Sequence, residues 1–119
     1  PLTRQTVDLI SDREIALMKK GILLINVARG GIINEKALEM GLKSGDIGGA
    51  AIDVFNQEPY SGELANIDEC ILTAHMGSMS LDCRIRMEIE ATEEVLRFVK
   101  GVTSKSPVPV TEYQIQEEF

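Results

Sequence analysis

Ile22-Leu23-Leu24-Ile25-Asn26-Val27-Ala28 runs straight into Arg29-Gly30-Gly31. Asn26 is the one polar residue in the apolar seven. A run apolar on both faces, and too short for a typical helix, reads as a central strand of a parallel sheet. Working outward, Asn34 is placed to cap a helix that carries Ala37, Leu38 and Leu42 at helical spacing to Ser44, with Gly45 as its stop. Ile47 to Phe55 is a second strand, and its small residues Gly48, Gly49, Ala50 and Ala51 permit a close helix approach. Cys70 to Ala74 is a third, short strand. Ser80 to Lys100 reads as a long helix with Ile85, Ile89, Val95, Leu96 and Val99 along one stripe, stopped by Gly101. Ahead of them all, Ser11-Asp12-Arg13-Glu14 followed by Ile15, Leu17 and Met18 reads as a capped helix. Strands alternating with helices define an α/β fold, a parallel sheet with flanking helices and right-handed crossovers. The strands ending at Ala28, Phe55 and Ala74 are expected side by side.

Composition narrows the function. The chain has 119 residues, 44% hydrophobic and 26% charged, as in ordinary globular proteins. Its net charge of −7 gives no footprint for nucleic acid or anionic lipid. The longest apolar stretch, residues 21–28, is too short to span a bilayer. No charged-then-apolar leader pattern is recognisable, so the expected compartment is the cytoplasm. Cys70 and Cys83 fit no metal-ligand spacing and are expected to be buried free thiols. No metal site is expected. Thr103 onward, with Pro107 and Pro109, is expected to be extended or disordered.

The chemistry sits where each apolar run ends. Arg29 follows the first strand, Glu58 lies in the Asp53-Val54-Phe55-Asn56-Gln57-Glu58-Pro59 segment after the second, and His75, the only histidine, follows the third. Ligands of open parallel sheets bind at the C-terminal strand ends. An arginine clamps a carboxylate through a two-pronged hydrogen bond. A histidine beside a carboxylate exchanges protons near neutral pH. Taken singly, each residue is as easily a surface arginine, a loop carboxylate or a structural histidine. Three of them in this order outweigh that.

These motifs, with Met18-Lys19-Lys20-Gly21, Gly45-Asp46-Ile47-Gly48-Gly49 and His75-Met76-Gly77, resemble the nucleotide-binding domain of the D-isomer-specific 2-hydroxyacid dehydrogenases from Pro1 to Gly101. The resemblance implies a Rossmann-type domain that uses NAD to transfer hydride at C2 of a small 2-hydroxy or 2-oxo acid. Phosphoglycerate, glyoxylate, hydroxypyruvate and lactate all remain open. It implies that Arg29 binds the substrate carboxylate and carbonyl, that His75 is the general acid/base, and that Glu58 orients the ring and favours its charged form. It assigns Leu2, Thr3, Ala28, Arg29, Asp53 and Gly77 to the cofactor, and a homodimer to the full-length form. A glutamate at position 58 argues against a formate dehydrogenase.

Four departures are minor, one of them Ser78 in place of a frequent glycine. Asn34 stands where aspartate is usual and Ala74 where proline is common. Gly41 within the second helix is expected to weaken it by ~1 kcal/mol relative to alanine. The larger departure is that no G-x-G-x-x-G occurs, and the acidic residue that reads the ribose is missing with it. Residues 1–101 are therefore expected to be the second half of an NAD-binding domain, the chain a fragment, and 102–119 a tail. Discrimination between NAD and NADP is then not readable. Two other readings stay open, an NAD(H)-sensing corepressor-like protein of the same fold and an inactive truncated piece.

Overall fold

The computed structural model describes residues 1–109. Two compact units divide at Met76 and Gly77. In the first, α1 (Asp12–Leu17) precedes β1 (Ile22–Asn26), α2 (Glu35–Ser44) and β2 (Ile47–Ile52). A short 3-10 turn (Glu63–Asn66) and β3 (Cys70–Leu72) complete it. The sheet order is β1-β2-β3 and both pairings are parallel, as the apolar runs require.

Local chemistry explains each helix. Glu14 Oε2 accepts from the Ser11 N–H and hydroxyl at the start of α1. The Asn34 side chain accepts from the Ala37 N–H at 2.9 Å, and Gly45 ends α2 in the left-handed region at φ 77°. Gly41 has a packing reason that helix propensity does not register. A Cβ there would lie 2.7 Å from Ile47 Cδ1, and Ile47 is 1% exposed. The missing methyl lets α2 close on β2.

One face of the sheet is covered. Leu24 and Asn26 on β1 and Ala50 and Ile52 on β2 share that face and are buried. Their cover is α2, and α1 packs on α2 in turn. Leu38, Ile47 and Leu64 are the largest fully buried side chains. The opposite face carries Leu23, Ile25 and Ile71, each at least 66% exposed. The expectation that β1 is central is therefore corrected. Among the described residues β2 is central and β1 is an edge strand. Its two-sided apolarity fits a strand covered on both faces, and the described residues cover one of them.

All three strands end two or three residues earlier than their apolar runs. The departing residues form the turns that carry the site. Cys70 and Cys83 are free but only partly buried, which corrects the expectation of buried thiols. Burial still pushes the Cys70 thiol up.

The second unit contains α3 (Leu81–Val99). It is capped by the Ser80 hydroxyl, which accepts from the Cys83 N–H, and none of its residues is buried. Gly101 follows at φ 66°. Residues 102–109 carry no helix or strand, and the remainder of the expected tail, 110–119, lies outside the described residues. No helix among the described residues is long and apolar enough to cross a membrane.

Candidate active site

The loop after β1 is built by Asn26. Its side chain is buried, accepts from the Ala28 N–H at 3.1 Å and donates to the Arg29 carbonyl at 3.0 Å. That closes a turn presenting Arg29 to solvent. Gly30 then passes directly against β2's end, where a Cβ would sit 2.0 Å from the Phe55 carbonyl oxygen. Only glycine permits this approach, and it brings the Arg29 loop beside the Glu58 loop. Sequence reasoning missed Asn26 as a positioning side chain, although it was the lone polar residue in its strand.

The Glu58 loop folds back on itself. Phe55 and Tyr60 stack with ring centroids 4.3 Å apart and bracket the glutamate. The Phe55 N–H donates to Glu58 Oε1 at 3.0 Å, and the Asn56 N–H donates to Glu35 Oε1 at 2.7 Å, which ties the loop to α2. The Phe55 N–H, and after it the hydrogen bond with His75, hold the Glu58 carboxyl below the usual carboxylate range.

His75 completes the arrangement from the third strand end. Its Nδ1 lies 3.0 Å from Glu58 Oε2. Because an ionised carboxylate only accepts, this contact makes Nδ1 the protonated ring nitrogen when the ring is neutral. The residue adopts φ 53°, the left-handed region that non-glycine residues enter at a cost of about 1–2 kcal/mol. Such strain persists only where neighbours hold it. Here the His75 N–H donates to the Asp53 carbonyl, and the Met76 N–H donates to Asp53 Oδ1, each at 2.8 Å. Thr73 Oγ1 donates to that same oxygen.

Leu2, Arg29, Gly30, Phe55, Asn56, Glu58 and His75 line one cleft of about 330 Å³. The structure therefore brings together Arg29, Glu58 and His75 as well as Leu2. The Arg29 guanidinium folds onto its own loop, with Nη1 donating to the Ala28 carbonyl at 2.6 Å. Ala28 is exposed and is not among the residues lining the cleft. Thr3 is buried, and its hydroxyl accepts from the Gln5 N–H and contacts Thr6. Asp53 is 6% exposed and occupied as described above. Gly77 opens the second unit.

The residues fit the nicotinamide end of a dinucleotide. Leu2, Arg29, Gly30 and His75 line an accessible cleft at the strand ends, with room and polar groups that suit a nicotinamide ring and its carboxamide. The glycine-rich phosphate loop has no counterpart among these residues.

A parallel sheet with flanking helices and a cleft at its C-terminal strand ends is the architecture of half a Rossmann-type nucleotide-binding domain. The family profile "D-isomer specific 2-hydroxyacid dehydrogenase, NAD binding domain" matches residues 1–77, and the chain belongs to this family. It is 43% identical over 102 residues to glyoxylate reductase of Pyrococcus horikoshii, covering 85% of this chain and 30% of that one. It is 41% identical over 109 residues to D-3-phosphoglycerate dehydrogenase of Bacillus subtilis, covering 91% and 21%. The holo form of Rhodotorula graminis D-mandelate dehydrogenase superposes with a TM-score of 0.84 at 33% identity, covering 91% of this chain and 32% of that one. The chain thus spans less than a third of the length of either curated relative. NAD is the cofactor of the domain family.

Proposed function

We propose that this chain supplies the proton-transfer and carboxylate-binding side of an NAD-dependent dehydrogenase that acts at C2 of a small 2-hydroxy or 2-oxo acid. The observation that carries this reading is the 3.0 Å contact between His75 and Glu58 at the cleft that also contains Arg29. Bound nicotinamide supplies or accepts the hydride. With Nδ1 engaged by Glu58, Nε2 is the ring atom that takes the substrate's hydroxyl proton in oxidation and returns it in reduction. The ring is positively charged between these events, and the Glu58 carboxylate stabilises it. Arg29 swings from Ala28 to pair the substrate carboxylate and stabilise charge on the C2 oxygen.

Leu2, Thr3, Asp53, Gly77 and the backbone of Ala28 and Arg29 form the cofactor side in this reading, within a partial domain of residues 1–101. The cleft supports Leu2 and Arg29 most directly, since both line it. The full-length form is a cytoplasmic homodimer without nucleic-acid or membrane partners. The net charge of −7 on these 119 residues supports the last two points for this part of it.

The test is a chimera in which these residues replace the matching segment of the Pyrococcus glyoxylate reductase. NADH oxidation is then followed with glyoxylate, hydroxypyruvate and larger 2-oxo acids. Turnover that disappears in His75→Ala supports the reading. NADH binding without turnover in the folded chimera sinks it in favour of a sensor.

A further inference from the structure

We propose that Asp53 is a positioning residue for His75, its buried carboxylate and carbonyl pinning the turn that carries the ring on both sides. Three donors converge on this one residue. The His75 N–H reaches its carbonyl, while the Met76 N–H and the Thr73 hydroxyl share Oδ1. Residues on either side of the ring are thus tied to Asp53, which directly follows the central strand.

The need for such ties follows from the backbone. At φ 53° the His75 Cα–Cβ bond points where the ring meets Glu58. Relaxation to an ordinary negative φ swings that bond, and with it Nδ1, away from the carboxylate. Nothing in the side chain of histidine favours the left-handed region enough to hold it there. A charged acceptor makes stronger hydrogen bonds than a neutral one, and a carboxylate at 6% exposure is retained only where donors satisfy it.

Charge alone does not explain the placement. The Asp53 carboxylate opposes ionisation of nearby Glu58, which works against the pair at the cleft. Its contribution is geometric. The inference concerns the ring's position and depends on the acid/base reading only for its effect on turnover.

His75 is the only histidine, so ring-nitrogen resonances of the 119-residue chain report one site. Long-range proton–nitrogen correlation in alkaline buffer, without cofactor or substrate, is expected to show Nδ1 protonated. In Asp53→Ala the two ring nitrogens should shift toward the averaged tautomer values of a free histidine. Asp53→Asn retains an accepting oxygen and should stay closer to the parent than to the alanine variant. Unchanged ring shifts in folded Asp53→Ala overturn the inference, and so does an asparagine variant as disturbed as the alanine one. If Asp53→Ala does not fold, the unmutated chain decides. A through-hydrogen-bond coupling from the Met76 amide nitrogen to the Asp53 carboxyl carbon is expected there, and its absence overturns the inference. A chimera without turnover whose ring state still follows Asp53 sinks the enzymatic reading alone.

Discussion

Glu58 accepts two hydrogen bonds on different oxygens, from the Phe55 N–H at 3.0 Å on Oε1 and from the His75 ring at 3.0 Å on Oε2. The first fixes the carboxylate, so that the second can fix the ring. Glu58→Gln keeps an acceptor but loses the charge that stabilises an imidazolium. In the chimera its turnover should fall by about 10²-fold or more, with NADH affinity little changed. Steady-state kinetics beside NADH titration checks this, and a parent-like kcat removes Glu58 from the chemistry.

Acid should weaken the fold through the same residue. Glu58, Glu14, Glu39 and Asp46 are all held below their ordinary values by hydrogen bonds formed in the folded chain. A depressed folded-state pKa contributes stability that is present above the unfolded value and lost as pH falls through the folded one. Urea midpoints should therefore decline as pH falls below about 4.5, the ordinary value for Glu. A midpoint that rises on acidification contradicts these contacts.

Gly30→Ala should destabilise the chain by about 1–3 kcal/mol, because its Cβ would press on the rigid Phe55 backbone and not on a movable side chain. The urea midpoint reads this directly. In the chimera KM for the 2-oxo acid should also rise, since Arg29 is displaced with the loop.

Leu38→Ala and Leu23→Ala make a paired test of which sheet face is covered. Leu38 is 1% exposed and its truncation should cost about 2–5 kcal/mol. Leu23 is 69% exposed and its truncation should stay within about 0.5 kcal/mol. Equal losses at both positions would mean that the bare face is packed in solution.

Calorimetry with NADH on the 119-residue chain should show binding far weaker than low micromolar. A helix N-terminus with a glycine-rich loop ordinarily takes the pyrophosphate, and these residues contain no such loop. Low-micromolar affinity would show that the strand-end cleft alone anchors the dinucleotide.

Much of this protein follows from local rules and is therefore legible in its sequence. Apolar runs with β-branched residues specify strands, Asn34 and Gly45 bound α2, and Ser80 starts α3, because propensity and capping act within a few residues. Arg29, Glu58 and His75 are recognisable because each lies just past an apolar run. Tertiary structure alone decided the rest. Whether β1 is central or an edge depends on what pairs beside it, which its own residues cannot encode. Gly41 reads as a helix defect until Ile47 packs against it, and Gly30 as an ordinary turn until Phe55 lies beneath it. In the sequence Asn26 reads as a stray polar residue in an apolar strand, and Asp53 as a cofactor contact that closes one. Asn26 holds the Arg29 turn through bonds to residues two and three positions on, whereas Asp53 holds the His75 turn through bonds that form only when two strand ends are brought together. For Asp53 these bonds span 20 residues or more of sequence.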